Sequence, residues 1–256
     1  MTTNHDTAPP GVKPFLETRN VTKRYGGLFA VRDVSLALYP GEIVGLVGDN
    51  GAGKSTFIKM LAGDHEPTSG HLEIEGKPVR FTHPRDAKAA QIETIYQDLA
   101  LCENLSVTDN VFLGHEMTTN PLFRFLQRKK MHAETRVLLD SLGIGIPSTH
   151  ELVVNLSGGQ RQATALARVA KAGAKLVILD EPTAALGVRE TRAVLDLVLR
   201  FREQGRSILI ISHEMRDVFE ITDRIAVFKR GELIGVRRTR ETTPDEIVSL
   251  IMRGKH

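Results

Sequence analysis

Gly48-Asp49-Asn50-Gly51-Ala52-Gly53-Lys54-Ser55-Thr56 decides the fold. It follows an apolar run, Ile43-Val44-Gly45-Leu46-Val47, that reads as a buried strand. It precedes Phe57 to Ala62, which reads as a helix stopped by Gly63. Strand, glycine loop, then Gly-Lys-Ser at a helix start is a P-loop in its required context, whereas a plain glycine turn needs neither the spacing nor both flanks. Without Cβ atoms in the way, successive backbone N–H groups can turn inward on a polyphosphate. The helix N-terminus adds unpaired donors and a positive dipole. Lys54 can reach the outer phosphates as a point charge, and the Ser55 hydroxyl can hold Mg²⁺. The stretch predicts a nucleoside triphosphate site.

Working outward, 256 residues fit one large α/β domain, or one with a smaller domain inserted. A hydrophobic fraction of 41% with 25% charged residues is that of a soluble globular chain. A net charge of +3 does not call for nucleic acid. Cys102 is the one cysteine, so no internal disulfide forms and a reducing cytoplasm fits. Met1 to Pro14 is polar and proline-bearing, with no apolar h-region, and reads as a short disordered lead. No apolar run approaches the ~18 residues that cross a bilayer, so any work at a membrane would go through a partner.

Upstream of the glycine stretch, Phe15 to Val21 and Val34 to Leu38 alternate as strands around a Tyr25-Gly26-Gly27 turn. Downstream, turns at Pro67 to Gly70 and Glu75 to Pro78 bracket a strand over His71 to Ile74. Ile92 to Tyr96 reads as a strand ending at Gln97. From about residue 98 to 170 the pattern turns helical: a cap-like Ser106 to Asp109 closed by Gly114, then a helix from about Met131 to Leu142. Leu176 to Leu179 and Ile208 to Ile211 are continuous apolar runs, as parallel strands covered on both faces require. A helix from about Arg189 to Glu203 joins them, and a hairpin through Arg230-Gly231 follows. Thr243 to Glu246 reads as a capping box opening a final helix. The predicted fold is α/β: a P-loop core with an N-terminal antiparallel β-subdomain and an inserted α-helical subdomain, all within residues 15–256.

Four further features bear on chemistry. Asp180 ends a core strand, where a carboxylate can hold Mg²⁺, and Glu181 follows where it could orient or deprotonate an attacking water. Leu156-Ser157-Gly158-Gly159-Gln160 is spaced as a capping box, yet a cap does not need two glycines. Those glycines suit close approach to an anion, and a second phosphate-binding terminus with a single P-loop hints at service to a neighbour's nucleotide. His213 leaves a core strand at the edge where open α/β sheets bind ligands, though a lone His is more often structural. Tyr25 is either a strand aromatic or a platform for a base.

Taken together, GDNGAGKST, Gln97, LSGGQ, LVILDE and His213 resemble the ATP-binding subunit of ABC transporters over essentially all of the chain after Phe15. LSGGQ is the diagnostic element. The resemblance implies that Tyr25 stacks on adenine and that Gln97 contacts metal and water while linking to a membrane subunit. It implies that Ser157 to Gln160 close over ATP held by the opposite subunit. Asp180 would help hold Mg²⁺, Glu181 would act as catalytic base, and His213 would contact the γ-phosphate. Glu181 to Leu186, Ser212-His213-Glu214-Met215 and Ile247 to Met252 look like the ribose, xylose and fructose importers.

That finer resemblance implies a second ATPase subunit, integral membrane permease subunits and, indirectly, a periplasmic sugar-binding protein, with no nucleic acid. The place of work would be the cytoplasmic face of a bacterial inner membrane. Two departures stand out. Many members fuse two ATPase halves, whereas one P-loop and one LSGGQ are present here. Many ABC ATPases also have Ser-Ala-Leu-Asp where this chain has Ala184-Ala185-Leu186-Gly187, without the carboxylate. A transporter ATPase for another cargo, or a soluble ABC ATPase acting on nucleic acid or the ribosome, stays open. The basic run Arg124, Arg128, Lys129 and Lys130 is either a solvated face or a contact for anionic lipid.

Overall fold

Ile43–Val47 (β4) is buried along its whole length, because both faces of its sheet are covered. The computed structural model describes residues 11–119 and 125–253. Residues 1–10, most of the lead expected to be disordered, and Arg124 of the basic run lie outside them.

Six strands flank one another in the order β11-β10-β4-β9-β8-β7. Their spans are Ile92–Ile95 (β7), Leu176–Asp180 (β8), Ser207–Ile211 (β9), Arg224–Lys229 (β10) and Glu232–Arg238 (β11). All neighbours are parallel except the β10/β11 hairpin. The continuous apolar runs follow from double-sided burial. Val177, Leu179, Ile208 and Ile210 pack on one side with Ala165, Leu166, Val194 and Val198. These last come from two long helices, here labelled α5 (Gly158–Ala172) and α6 (Val188–Glu203) in chain order. Val44, Leu46, Ile178, Leu209 and Ile211 point the other way, onto Phe57, Ile58 and Leu61 of Lys54–Leu61 (α1).

Beneath α1 lies the antiparallel sheet. Leu16–Tyr25 (β1) pairs with Leu28–Val34 (β2), Ala37–Leu38 (β3) and Ser69–Ile74 (β5), which in turn pairs with Lys77–Val79 (β6). The strand expected over Val34 to Leu38 is not one strand. β2 ends at Val34, and β3 pairs Leu38 with Leu16 at another part of β1. The Thr18 hydroxyl bridges the corner, donating to Val34 O and accepting from Leu36 N.

Between β7 and β8 the chain is helical, but only from Val107–Val111 (α3), capped by Ser106 accepting from Asp109 N. Arg128–Ser141 (α4) and α5 follow. Pro84–Ala89 (α2) and Met215–Ile221 (α7) are short helices that the sequence pattern does not announce. Pro244–Arg253 (α8) closes the chain against β10. Its capping box is half made: Thr243 Oγ1 accepts from Glu246 N, while the Glu246 carboxylate accepts from Arg237 and Thr242.

Candidate nucleotide site

β4 runs directly into the glycine stretch, and two of its glycines are wedged between neighbouring strands. A Cβ on Gly48 (φ +150°) would lie 2.2 Å from Phe228 O of β10, and one on Gly53 (φ +99°) 2.3 Å from Ala30 O of β2. The β10/β11 turn locks the loop from outside: Gly231 N donates to Ala52 O at 2.9 Å and Arg32 N to Gly231 O at 2.7 Å. Gly53 is the N-cap of α1 and has no side chain, so no side-chain cap meets the first N–H groups. They border a cleft of ≈ 440 Å³ lined by Leu28 to Ala30, Asn50 to Thr56, Glu181, His213 and Arg230. An anion fits this cradle on donors, dipole and space alike.

Lys54 is buried, and its Nζ donates to Gly48 O (2.7 Å) and Asp49 O (3.0 Å). Burial lowers its pKa, against the pull of Glu181, Asp180 and Asp49. Asp180 ends β8 opposite Ile211 of β9. Burial and the neighbouring Glu181 charge raise its pKa, and Lys54, Lys59 and His213 oppose them. Glu181 has a left-handed backbone (φ +52°) and donates its N–H to Ile211 O at 3.0 Å. Its Oε1 lies 2.7 Å from His213 Nε2, so the two side chains that resemblance had paired in function also meet in space.

Other expected residues lie outside this cleft. Gln97 is exposed just beyond β7 and does not line it. Tyr25 ends β1, packing edge-on to His65 with ring centroids 6.0 Å apart. Leu28, its partner across the hairpin, and Phe29 line the cleft instead. Leu28, Phe29, Ala30 and Arg230 are the cleft residues that motif reasoning misses. None belongs to a spaced pattern, and all arrive through strand pairing.

Ser157 to Gln160 form the expected capping box: Gln160 N donates to Ser157 Oγ (3.3 Å) and Ser157 N to Gln160 Oε1 (3.0 Å). Gly159 faces α6 so closely that a Cβ would lie 2.8 Å from Glu190 Cγ. This turn lines a different cleft, of ≈ 330 Å³, with Leu142 to Gly145, Glu190 and Arg200. The two clefts share no lining residue.

A glycine cradle at the carboxyl edge of a mostly parallel sheet, flanked by an antiparallel sheet and a helical segment, defines a class: the ATP-binding cassette fold. A nucleotide-free ATP-binding cassette from an ABC transporter superposes with TM-score 0.80 at 23% identity, covering 93% of this chain and 95% of that one. A dimeric bacterial ABC transporter cassette superposes with TM-score 0.73 at 22% identity, covering 89% and 100%.

The ABC transporter family profile matches residues 31–184, and the chain belongs to that family. It is 48% identical over 236 residues to the xylose/arabinose import ATP-binding protein XylG of Sulfolobus acidocaldarius, covering 92% of this chain and 93% of the relative. It is 44% identical over 248 residues to the fructose import ATP-binding protein FrcA of Rhizobium meliloti, covering 95% of each. Against the ribose import ATP-binding protein RbsA of Yersinia pestis it is 40% identical over 239 residues, 93% of this chain but 46% of that protein.

Proposed function

We propose that this chain is the ATP-hydrolysing subunit of an importer that carries a monosaccharide of the xylose, fructose or ribose kind into the cell. The near full-length match to two proteins named for sugar import supports the cargo class. In this reading residues 15–256 form one cassette, with about residues 98–170 as its helical part. It works on the cytoplasmic face of the inner membrane, beside integral permease subunits fed by a periplasmic sugar-binding protein. No helix among the described residues is long and apolar enough to cross a membrane.

The backbone N–H groups from Gly51 to Thr56 and the Lys54 ammonium hold the ATP phosphates. Mg²⁺ suits the donor set, since the Ser55 hydroxyl and the Asp180 carboxylate offer oxygen; Gln97, outside the cleft in this structure, would add its amide oxygen only by moving in. When bound, the ion neutralises developing phosphate charge. Glu181 orients a water and accepts its proton, and His213, already in contact with Glu181, donates to the γ-phosphate. Tyr25 stacks on the adenine. Ser157, Gly158, Gly159 and Gln160 close on the nucleotide of a second copy, and closing and reopening drive the permease.

What carries the two-copy arrangement is the separation of the clefts: within one chain the Ser157 turn does not border the glycine cradle. Mixing Lys54→Ala with Ser157→Arg chains tests it. In a mixed dimer one composite site keeps both of its halves, so hydrolysis should exceed that of either variant alone. No gain on mixing would argue for sites complete within single chains.

A further inference from the structure

Asp217 occupies the third position of α7, where an acid ordinarily turns back to accept the N–H of the helix's own cap residue. Here that N–H, of Glu214, donates to Ser212 Oγ at 3.1 Å. Relieved of capping, the Asp217 carboxylate reaches across to the segment after β8 and accepts the Thr183 hydroxyl proton at 3.2 Å. Asp217 is 8% exposed, so this bond is screened little by water.

One end of the bond belongs to the loop that bears Glu181, the other to the helix that follows His213. Thr183 lies two residues past Glu181, and α7 begins two residues past His213. The Glu181 loop also holds two non-glycine residues in the left-handed region, Glu181 (φ +52°) and Ala185 (φ +60°). Such backbone persists only where its surroundings over-determine it. Its backbone ties are Glu181 N to Ile211 O, and the turn bonds Ala184 N to Glu181 O and Leu186 N to Thr183 O. Besides the contact between Glu181 and His213 themselves, Thr183 to Asp217 is the side-chain hydrogen bond described from this loop to the His213 element.

We infer that Thr183 and Asp217 are positioning residues for hydrolysis: their bond fixes the loop of Glu181 against the helix that follows His213. The inference rests on the roles proposed above for Glu181 and His213. Small displacements of a reacting group cost up to roughly 10²-fold in rate without weakening substrate binding elsewhere. ATP is held by the glycine cradle, on other elements, so losing the bond should touch turnover and spare affinity.

The experiment measures kcat and KM for ATP, with thermal unfolding, for Thr183→Val, Thr183→Ser and Asp217→Asn, beside Glu181→Gln and His213→Ala. Supporting results are a kcat for Thr183→Val and Asp217→Asn lowered by up to roughly 10²-fold, unchanged KM, unchanged unfolding temperature, and recovery in Thr183→Ser. If those two variants keep wild-type kcat while Glu181→Gln and His213→Ala lose turnover, the site reading stands and the inference fails. A rise in KM with a fall in kcat and unfolding temperature, or no recovery in Thr183→Ser, would make the bond merely structural and also overturn it. Wild-type turnover in Glu181→Gln and His213→Ala overturns the site reading and this inference with it.

Discussion

Asp180 and Lys54 place opposite charges in one partly dry site, and each is shifted against its own ionisation by burial. For Asp180 the sign runs one way: a raised carboxyl pKa means the fold disfavours the anion. That cost is present at neutral pH and fades as pH falls through the raised value, where the carboxyl is neutral in the fold. Asp180→Asn should therefore raise the unfolding temperature of the nucleotide-free chain at neutral pH and raise it less in acid. It should also weaken Mg²⁺-dependent ATP binding; melting curves at two pH values and a titration with ATP and Mg²⁺ check both. Glu181→Gln should keep ATP affinity and lose about 10²–10⁴-fold in turnover, read by binding and steady-state hydrolysis on one preparation. Residues such as Lys54, Asp180 and Glu181 are legible in the sequence because each carries its chemistry in a local pattern. Phe29, Arg230 and the Thr183–Asp217 bond are not, because only the fold brings them to the site.

At the scale of elements, the two glycine-bearing helix starts differ in what holds them. The α5 start has a side-chain cap and the α1 start has none. Ser157→Ala should then cost about 1 kcal/mol of stability and leave ATP binding to the isolated subunit intact. Gly53→Ala meets both a left-handed backbone and Ala30 O at 2.3 Å, so it should lower stability more and abolish ATP binding. Denaturant unfolding with nucleotide titration separates the two.

Elements with a full period were readable: the buried parallel strands, α4 and α6. β2 was not, since bulged pairing with β1 shifts register twice and buries Val31 and Val34 three residues apart. At six and seven residues, α2 and α7 are too short to show an apolar stripe.

For the whole molecule, the sequence indicated a helical segment carrying the Ser157 turn, but not that this turn would open on a cleft of its own. In the two-copy arrangement proposed above, that separation would make association a consequence of nucleotide. With ATP and Mg²⁺, Glu181→Gln should elute as a dimer in size-exclusion chromatography, whereas Lys54→Ala should stay monomeric; a monomeric Glu181→Gln under saturating ATP would contradict the sandwich.

The order of strands has a bearing on synthesis as well. β4 is flanked by β9 and β10, with Ile43 set against Ile208 and Val44 against Arg224. A ribosome exposes the phosphate cradle early and its walls late. Until β9 and β10 emerge, β4 lacks both of its sheet neighbours, and the loop after it has only β2 at its side. Nucleotide competence is therefore expected only late in translation, once those neighbours are in place.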